Sequence, residues 1–170
     1  AASRPVDEVV CVVGHQADEV RAALLTLADD FVLQAEQRGT GHAVTLAAPA
    51  LRAGRATTLL ILSGDVPALR ASTLRALLSR HRRSGAAFTL ISAEVAVPSG
   101  YGRVVRDARG RVVRIVEHKD ATPAEREIRE INSGVYCADA GKLLAVLKSL
   151  RPDNVQGEYY LTDAVHRLLA

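Results

Sequence analysis

The chain alternates short β-branched apolar runs with longer stretches that carry helical spacing. VDEVVCVVG, residues 6–14, is a strand-like run closed by glycine, and ADEVRAALLTLA then sets Val20, Leu24 and Leu27 on one helical stripe. FVLQ is a short strand; His42 to Ala50 follows with a helical pattern that Pro49 is expected to stop. TTLLIL is continuously apolar between polar turns, as in a strand buried on both faces. After the loop SGDVP, Ser72 or Thr73 should cap the helix STLRALLSRHRRSG, which Gly85 ends, and AAFTLISAEV is a further strand. The alternation predicts an α/β fold, a mainly parallel sheet with helices on both faces.

The middle of the chain breaks this rhythm. GRVVR occurs at Gly102 to Arg106 and again at Gly110 to Arg114, separated by Asp107, Ala108 and Arg109, and reads as the arms of a β-hairpin inserted into the sheet. EINSGVYCA is another strand, KLLAVLKSL and YYLTDAVHRLLA are helices, and RPDNVQGE between them is an ordered surface loop. No linker or low-complexity stretch divides residues 1–170, so a single domain is expected.

Composition refines the picture. Apolar residues make up 48% and aromatics 4%, so the core must be built from Val, Leu, Ile and Ala rather than from stacked rings. The formal charge of +3 comes from arginines interleaved with Asp and Glu, without a basic block; this argues against nucleic acid as a partner and suits a small phosphorylated substrate. No apolar run approaches the roughly 18 residues of a membrane span, so no membrane association is expected. Cys11 and Cys137 lie far apart in apolar runs and read as buried thiols of a reducing, cytoplasmic compartment. The chain contains no methionine, and Ala1 to Pro5 look like the tail of an earlier element, so a piece of a longer protein is expected.

Asp65 is the first candidate for chemistry. It follows a buried strand, where ligands of open α/β sheets bind, and reads either as a hard oxygen ligand for Mg²⁺ carrying phosphates or as an Asx-turn before Pro67. The turn QAEQRGTGHAV likewise has two readings. Gln34 can offer a donor and an acceptor to a nucleobase edge while Gly39 and Gly41 allow close approach; or the segment is a glycine-rich strand-to-helix connection with Thr40 as cap. Glu117 continues the alternation of Ile115 and points inward, where a carboxylate needs a partner such as a sugar hydroxyl, and Asn132 opens a buried strand by the same logic. His118 and Asp120 read as solvated, His15 as a turn or cap residue, His81 and His166 as solvent-facing. Tyr159 and Tyr160 read as packing a helix start. No serine or cysteine has a base partner and no histidine cluster has zinc spacing, which favours a reaction without a protein nucleophile, such as phosphoryl-type transfer.

The order of blocks VLQAEQxGTGHA, GDVP, SGYGRVVRD, IVEHKDA, EINSGVY and QGEYYLTD resembles the uridylyltransferase domain of the bacterial bifunctional N-acetylglucosamine-1-phosphate uridyltransferase / glucosamine-1-phosphate acetyltransferases, over nearly the whole chain. The resemblance implies a Rossmann-like nucleotide-diphospho-sugar transferase fold. It implies that Gln34, Gly39 and Thr40 hold uracil, that Ser63 and Gly64 line the floor beside Asp65, and that Asp65 binds Mg²⁺. Gly102, Glu117 and Asn132 would meet the sugar. At Ser63 the family often carries tyrosine. The implied reaction joins UTP and N-acetylglucosamine 1-phosphate into UDP-N-acetylglucosamine and pyrophosphate, for peptidoglycan precursor synthesis. The alternatives are a non-catalytic nucleotide-sugar-binding module and a related thymidylyl- or guanylyltransferase.

The family's opening strand with its loop L-A-A-G-x-G-T-R-M, the asparagine that supplies its second Mg²⁺ ligand, and its acetyltransferase β-helix have no counterpart in this sequence. The piece alone is therefore expected to be inactive or nearly so and marginally stable, any homo-oligomer being a property of the full-length protein.

Overall fold

The strand Glu130–Asp139 (β7) organises the molecule, because its side chains alternate between two apolar layers. Tyr136 and Ala138 face one cluster with Leu143, Leu147, Leu150, Leu161 and Val165; Val135 and Cys137 face the other with Leu77. The computed structural model describes residues 6–53, 56–66 and 68–169. The expectation for Ala1 to Pro5 lies outside the described residues, as does Pro67. Among the described residues no helix is long and apolar enough to cross a membrane.

The strands Thr58–Ile61 (β3) and Phe88–Glu94 (β4) flank β7, Ala138 standing opposite Leu59 on one side and Phe88 on the other. Both run antiparallel to β7 and therefore in the same direction as each other. The hairpin of Arg103–Arg106 (β5) and Val112–Val116 (β6) forms as the repeated GRVVR suggested, and Arg103 pairs with Ile131 of β7. This hairpin reverses the chain, so β7 enters against β3 and β4 rather than extending a parallel array. A separate parallel pair, Val10–Val13 (β1) and Asp30–Leu33 (β2), completes the described strands.

The helices cover both faces. Ala17–Leu24 (α1) joins β1 to β2, Thr40–Ala53 (α2) lies against β1 and β2 and also against the later helices, and Ala71–Ser84 (α3) covers the Leu77 side. The short Pro123–Arg126 (α4), unforeseen in the sequence, is closed by a capping box between Thr122 and Glu125. Ala140–Leu147 (α5) and Leu161–Leu169 (α6) seal the larger core layer.

Several local expectations are corrected. Helix α2 runs through Pro49; Pro49 and Thr45 are both exposed, so the Thr45 carbonyl that loses its N–H partner can face water. Helix α3 begins after Arg70, with no side-chain cap from Ser72 or Thr73, and ends at left-handed Gly85 as expected. His81 does not face solvent: it is 6% exposed, its Nδ1 lies 2.9 Å from Thr89 Oγ1, and burial lowers its pKa. Cys137 is fully buried but Cys11 only partly so, and both are free thiols that burial pushes up. Helix α1 stops at Leu24 and buries no side chain, leaving Leu25 71% and Leu27 60% exposed.

Candidate functional site

The site residues expected from the sequence collect beyond the carboxyl ends of β2 and β3 and around the start of β7. Gln34 follows β2 directly, Gly39 and Thr40 open α2, and Ser63, Gly64 and Asp65 lie on the turn after β3. Gly102 precedes β5 and Glu117 follows β6, side by side because Arg103 pairs with Val116.

The turn Gln34 to His42 is held by a distant segment. Gly41 N donates to Tyr159 O at 2.8 Å, Tyr159 N donates to Arg38 O at 2.8 Å, and Leu161 N donates to Thr40 Oγ1 at 3.2 Å. Thr40 therefore caps a helix, but that helix is α6. The glycines permit this seating. Gly39 has φ +96°, and a Cβ there would stand 2.7 Å from Tyr159 O; one on Gly41 would stand 2.8 Å from both Tyr159 O and Leu150 Cδ1. Tyr159 packs under the turn, with the Arg38 guanidinium 5.3 Å from its ring centroid and the His42 ring at 6.2 Å. The close approach these glycines allow is thus to the protein's own backbone.

Glu117 is the most perturbed of the expected site residues. Thr162 Oγ1 donates to its Oε1 at 2.9 Å. Burial raises its pKa above the ordinary 4.5, the hydroxyl bond opposes the rise, and the nearby carboxylates of Asp163, Asp120 and Glu158 add to it. Gly102 gives this carboxylate room, since a Cβ at 102 would lie 3.2 Å from Glu117 Oε2. Asn132 N donates to Gly102 O at 2.9 Å, while its side chain donates to Tyr136 Oη at 2.6 Å and accepts from Gly134 N at 3.3 Å. Ser63 Oγ donates to Gly134 O at 3.2 Å, tying the turn after β3 to this same stretch of β7.

A cleft of about 460 Å³ joins Gln34, Gly39 and Thr40 to Glu117, with Tyr160 and Glu158 on its wall. Gly14 and His15 also line it; the sequence reading took His15 as a turn or cap residue, although it stands past the end of β1 much as Asp65 stands past β3. Gly64 and Asp65 are exposed and are not among the lining residues. A second depression, about 380 Å³ between α2 and α5, contains no expected site residue. His118 and Asp120 are structural rather than solvated: His118 Nδ1 lies 3.3 Å from Arg103 Nη2, and Asp120 accepts from Val155 N at 2.9 Å.

The raised carboxyl of Glu117 has a stability consequence. In the window above its ordinary pKa the folded chain binds more protons than the unfolded one, so this group's contribution declines as pH rises through that window. Glu117→Gln, which can still accept from Thr162, is expected to melt higher than the parent near neutral pH, with the gap closing towards about pH 4. Melting temperatures of both chains across that range check it; a gap that widens on acidification would contradict the assignment.

The family model described as nucleotidyl transferase matches residues 2–170. The chain is 58% identical over 158 residues to the bifunctional protein GlmU of Pelobacter propionicus, covering 92% of this chain and 34% of that protein. Against GlmU of Brevibacillus brevis it is 54% identical over 166 residues, covering 96% of this chain and 35% of the relative. The chain thus spans about a third of the curated relatives it matches. Among solved structures, UDP-glucose pyrophosphorylase complexed with UDP-glucose superposes with a TM-score of 0.65 at 17% identity, over 94% of this chain and 68% of that one, which establishes a shared fold.

Proposed function

Because the chain belongs to the nucleotidyl transferase family, we propose that it carries the base and sugar pockets of an enzyme that joins UTP and N-acetylglucosamine 1-phosphate into UDP-N-acetylglucosamine and pyrophosphate. The observation that carries this reading is the cleft in which the Gln34–Thr40 turn meets the half-buried carboxyl of Glu117. A base edge at one end and a sugar at the other require that pairing of backbone-rich turn and hydrogen-bonding carboxyl. Gly102 and Asn132 stand beside Glu117 on the sugar side, and Ser63 and Gly64 lead to Asp65. A cytoplasmic location and a place in cell-wall precursor synthesis go with this reading.

In the reaction a sugar-phosphate oxygen, already anionic, bonds to the α-phosphorus of UTP as the bond to the β-phosphate oxygen breaks and pyrophosphate leaves. No protein nucleophile or general base is needed, consistent with the missing triad. The protein's part is to hold the reactants in line. Asp65 suits Mg²⁺ by donor type: it is an exposed carboxylate that no hydrogen bond or ion pair occupies among the described residues. Those residues offer no cluster of His, Cys, Asp or Glu for a fully protein-bound metal, whereas Mg²⁺ is commonly held by one or two carboxylates and substrate phosphates. Bound there, the ion would offset repulsion between phosphates.

Turnover by this chain alone is expected to be low, because the phosphate loop of the resembling family has no counterpart in it; binding is the decisive measurement. Ligand-observed NMR titrations should show UDP-N-acetylglucosamine binding at least about tenfold more tightly than dTDP- or GDP-sugars. Added Mg²⁺ should strengthen that binding in the parent and not in Asp65→Asn. Preference for a dTDP- or GDP-sugar would transfer the assignment to a related nucleotidyltransferase, and no binding of any nucleotide sugar would refute the proposal.

A further inference from the structure

We infer that His42 is a positioning residue for base selection: it fixes the side-chain amide of Gln34 so that only its carbonyl oxygen is offered to the cleft. Gln34 Nε2 lies 3.1 Å from Gly39 O and 3.0 Å from His42 Nδ1. A backbone carbonyl only accepts, so the amide nitrogen must face Gly39; turning the amide over would set oxygen against oxygen. The second amide hydrogen then goes to His42, whose Nδ1 must be the unprotonated acceptor and whose ring proton therefore sits on Nε2. Both N–H bonds of Gln34 are spent inside the turn. The sequence reading, in which Gln34 presents a donor and an acceptor together, is narrowed to an acceptor alone.

An isolated acceptor selects the base. Uracil presents N3–H, a donor, at the centre of its pairing edge, and cytosine presents an unprotonated N3 there, which would repel the Gln34 oxygen. Without the bond to His42 only Gly39 O orients the amide, and the penalty for its turning over falls. The ring has its own support: it lies in the first turn of helix α2 and leans on Tyr159, over whose ring the Arg38 guanidinium is placed. The sequence signal was present in the spacing of Gln34 and His42 across the Gly39–Gly41 turn, but a histidine at a helix start reads as ordinary.

This inference rests on the proposed uridine site, and its test separates the two. In the unliganded chain, long-range ¹H–¹⁵N spectra of the His42 ring should show the Nε2–H tautomer; a proton on Nδ1 in the neutral ring would overturn the inference without reference to any ligand. UDP and CDP are then titrated against the parent, His42→Phe, which keeps a ring against Tyr159 but removes the acceptor, and His42→Asn, whose Oδ1 can accept from Gln34. The parent should prefer UDP, His42→Phe should lose roughly five- to tenfold of that preference, and His42→Asn should restore most of it. Equal weakening of both nucleotides in His42→Phe, or an unchanged ratio, would leave His42 a structural residue and refute the inference. A parent chain indifferent between UDP and CDP would refute the uridine reading itself.

Discussion

Gly39→Ala is expected to cost roughly 2–5 kcal/mol of folding free energy, a large share of the 5–15 kcal/mol typical of a domain. Two penalties combine at this position. A side chain at φ +96° is strained by itself, and the added methyl would stand 2.7 Å from Tyr159 O and 3.0 Å from Glu158 Cβ. Neither neighbour yields cheaply, because Tyr159 is pinned at its own N–H by Arg38 O and at its carbonyl by Gly41 N. Gly85→Ala supplies the comparison, since that glycine has φ +62° and nothing within 4 Å of a built Cβ. It should lose only about 1–2 kcal/mol. Urea unfolding midpoints of the two variants measure the difference. Equal losses would mean that the turn is not seated against residues 158–161.

Arg103→Ala is expected to be similarly severe, roughly 3–5 kcal/mol. Arg103 is 1% exposed, yet no carboxylate pairs with it among the described residues. Its guanidinium donates to the carbonyls of Tyr101 and Arg126, the latter at 3.4 Å, and lies against His118; its Nε has no partner among the described residues. Truncation would open a cavity where β5 joins β7 and release the Tyr101 loop that leads into Gly102. Arg103→Met fills most of the same space without a buried charge, so it should recover part of the loss. Calorimetric or urea-derived stabilities decide the matter, and an alanine variant within about 1 kcal/mol of the parent would show that this side chain does not brace the junction.

These two positions show what was legible in the sequence. The strands and most helices follow from local apolar spacing, and the hairpin from the doubled GRVVR, because each depends on neighbouring residues. The direction of β7 depends on the hairpin before it, and an element-by-element reading assigned it to a mainly parallel sheet. At the site, Glu117 was singled out by its strand alternation and Gly102 by the family resemblance alone, and neither route announced that the absent side chain at 102 clears space for Glu117. The seating of the Gln34–His42 turn joins Thr40 to Leu161, 121 residues apart, and no local pattern announces a contact at that separation. Burial of His81 was missed for a different reason: it stands in the basic run RHRR, which reads as a solvated helix face, yet it packs on Thr89 of the strand that follows.

The division of the strands into two sheets has a further meaning for affinity. The β1–β2 pair carries a helix that buries no side chain, and of its own residues only Val13 is buried, so it rests largely on α2. Such a unit can open locally at a smaller cost than unfolding β7 and its two apolar layers. Gln34 is attached to the end of β2, while Gly39, Thr40 and Glu117 belong to the better-buttressed remainder. Local opening of this pair is expected to take the cleft apart, so apparent affinity should be the intrinsic affinity scaled by the closed fraction. If the proposed function holds, substitutions on the solvent side of α1, which contributes no residue to the cleft lining, should tune nucleotide binding by changing a population rather than a contact.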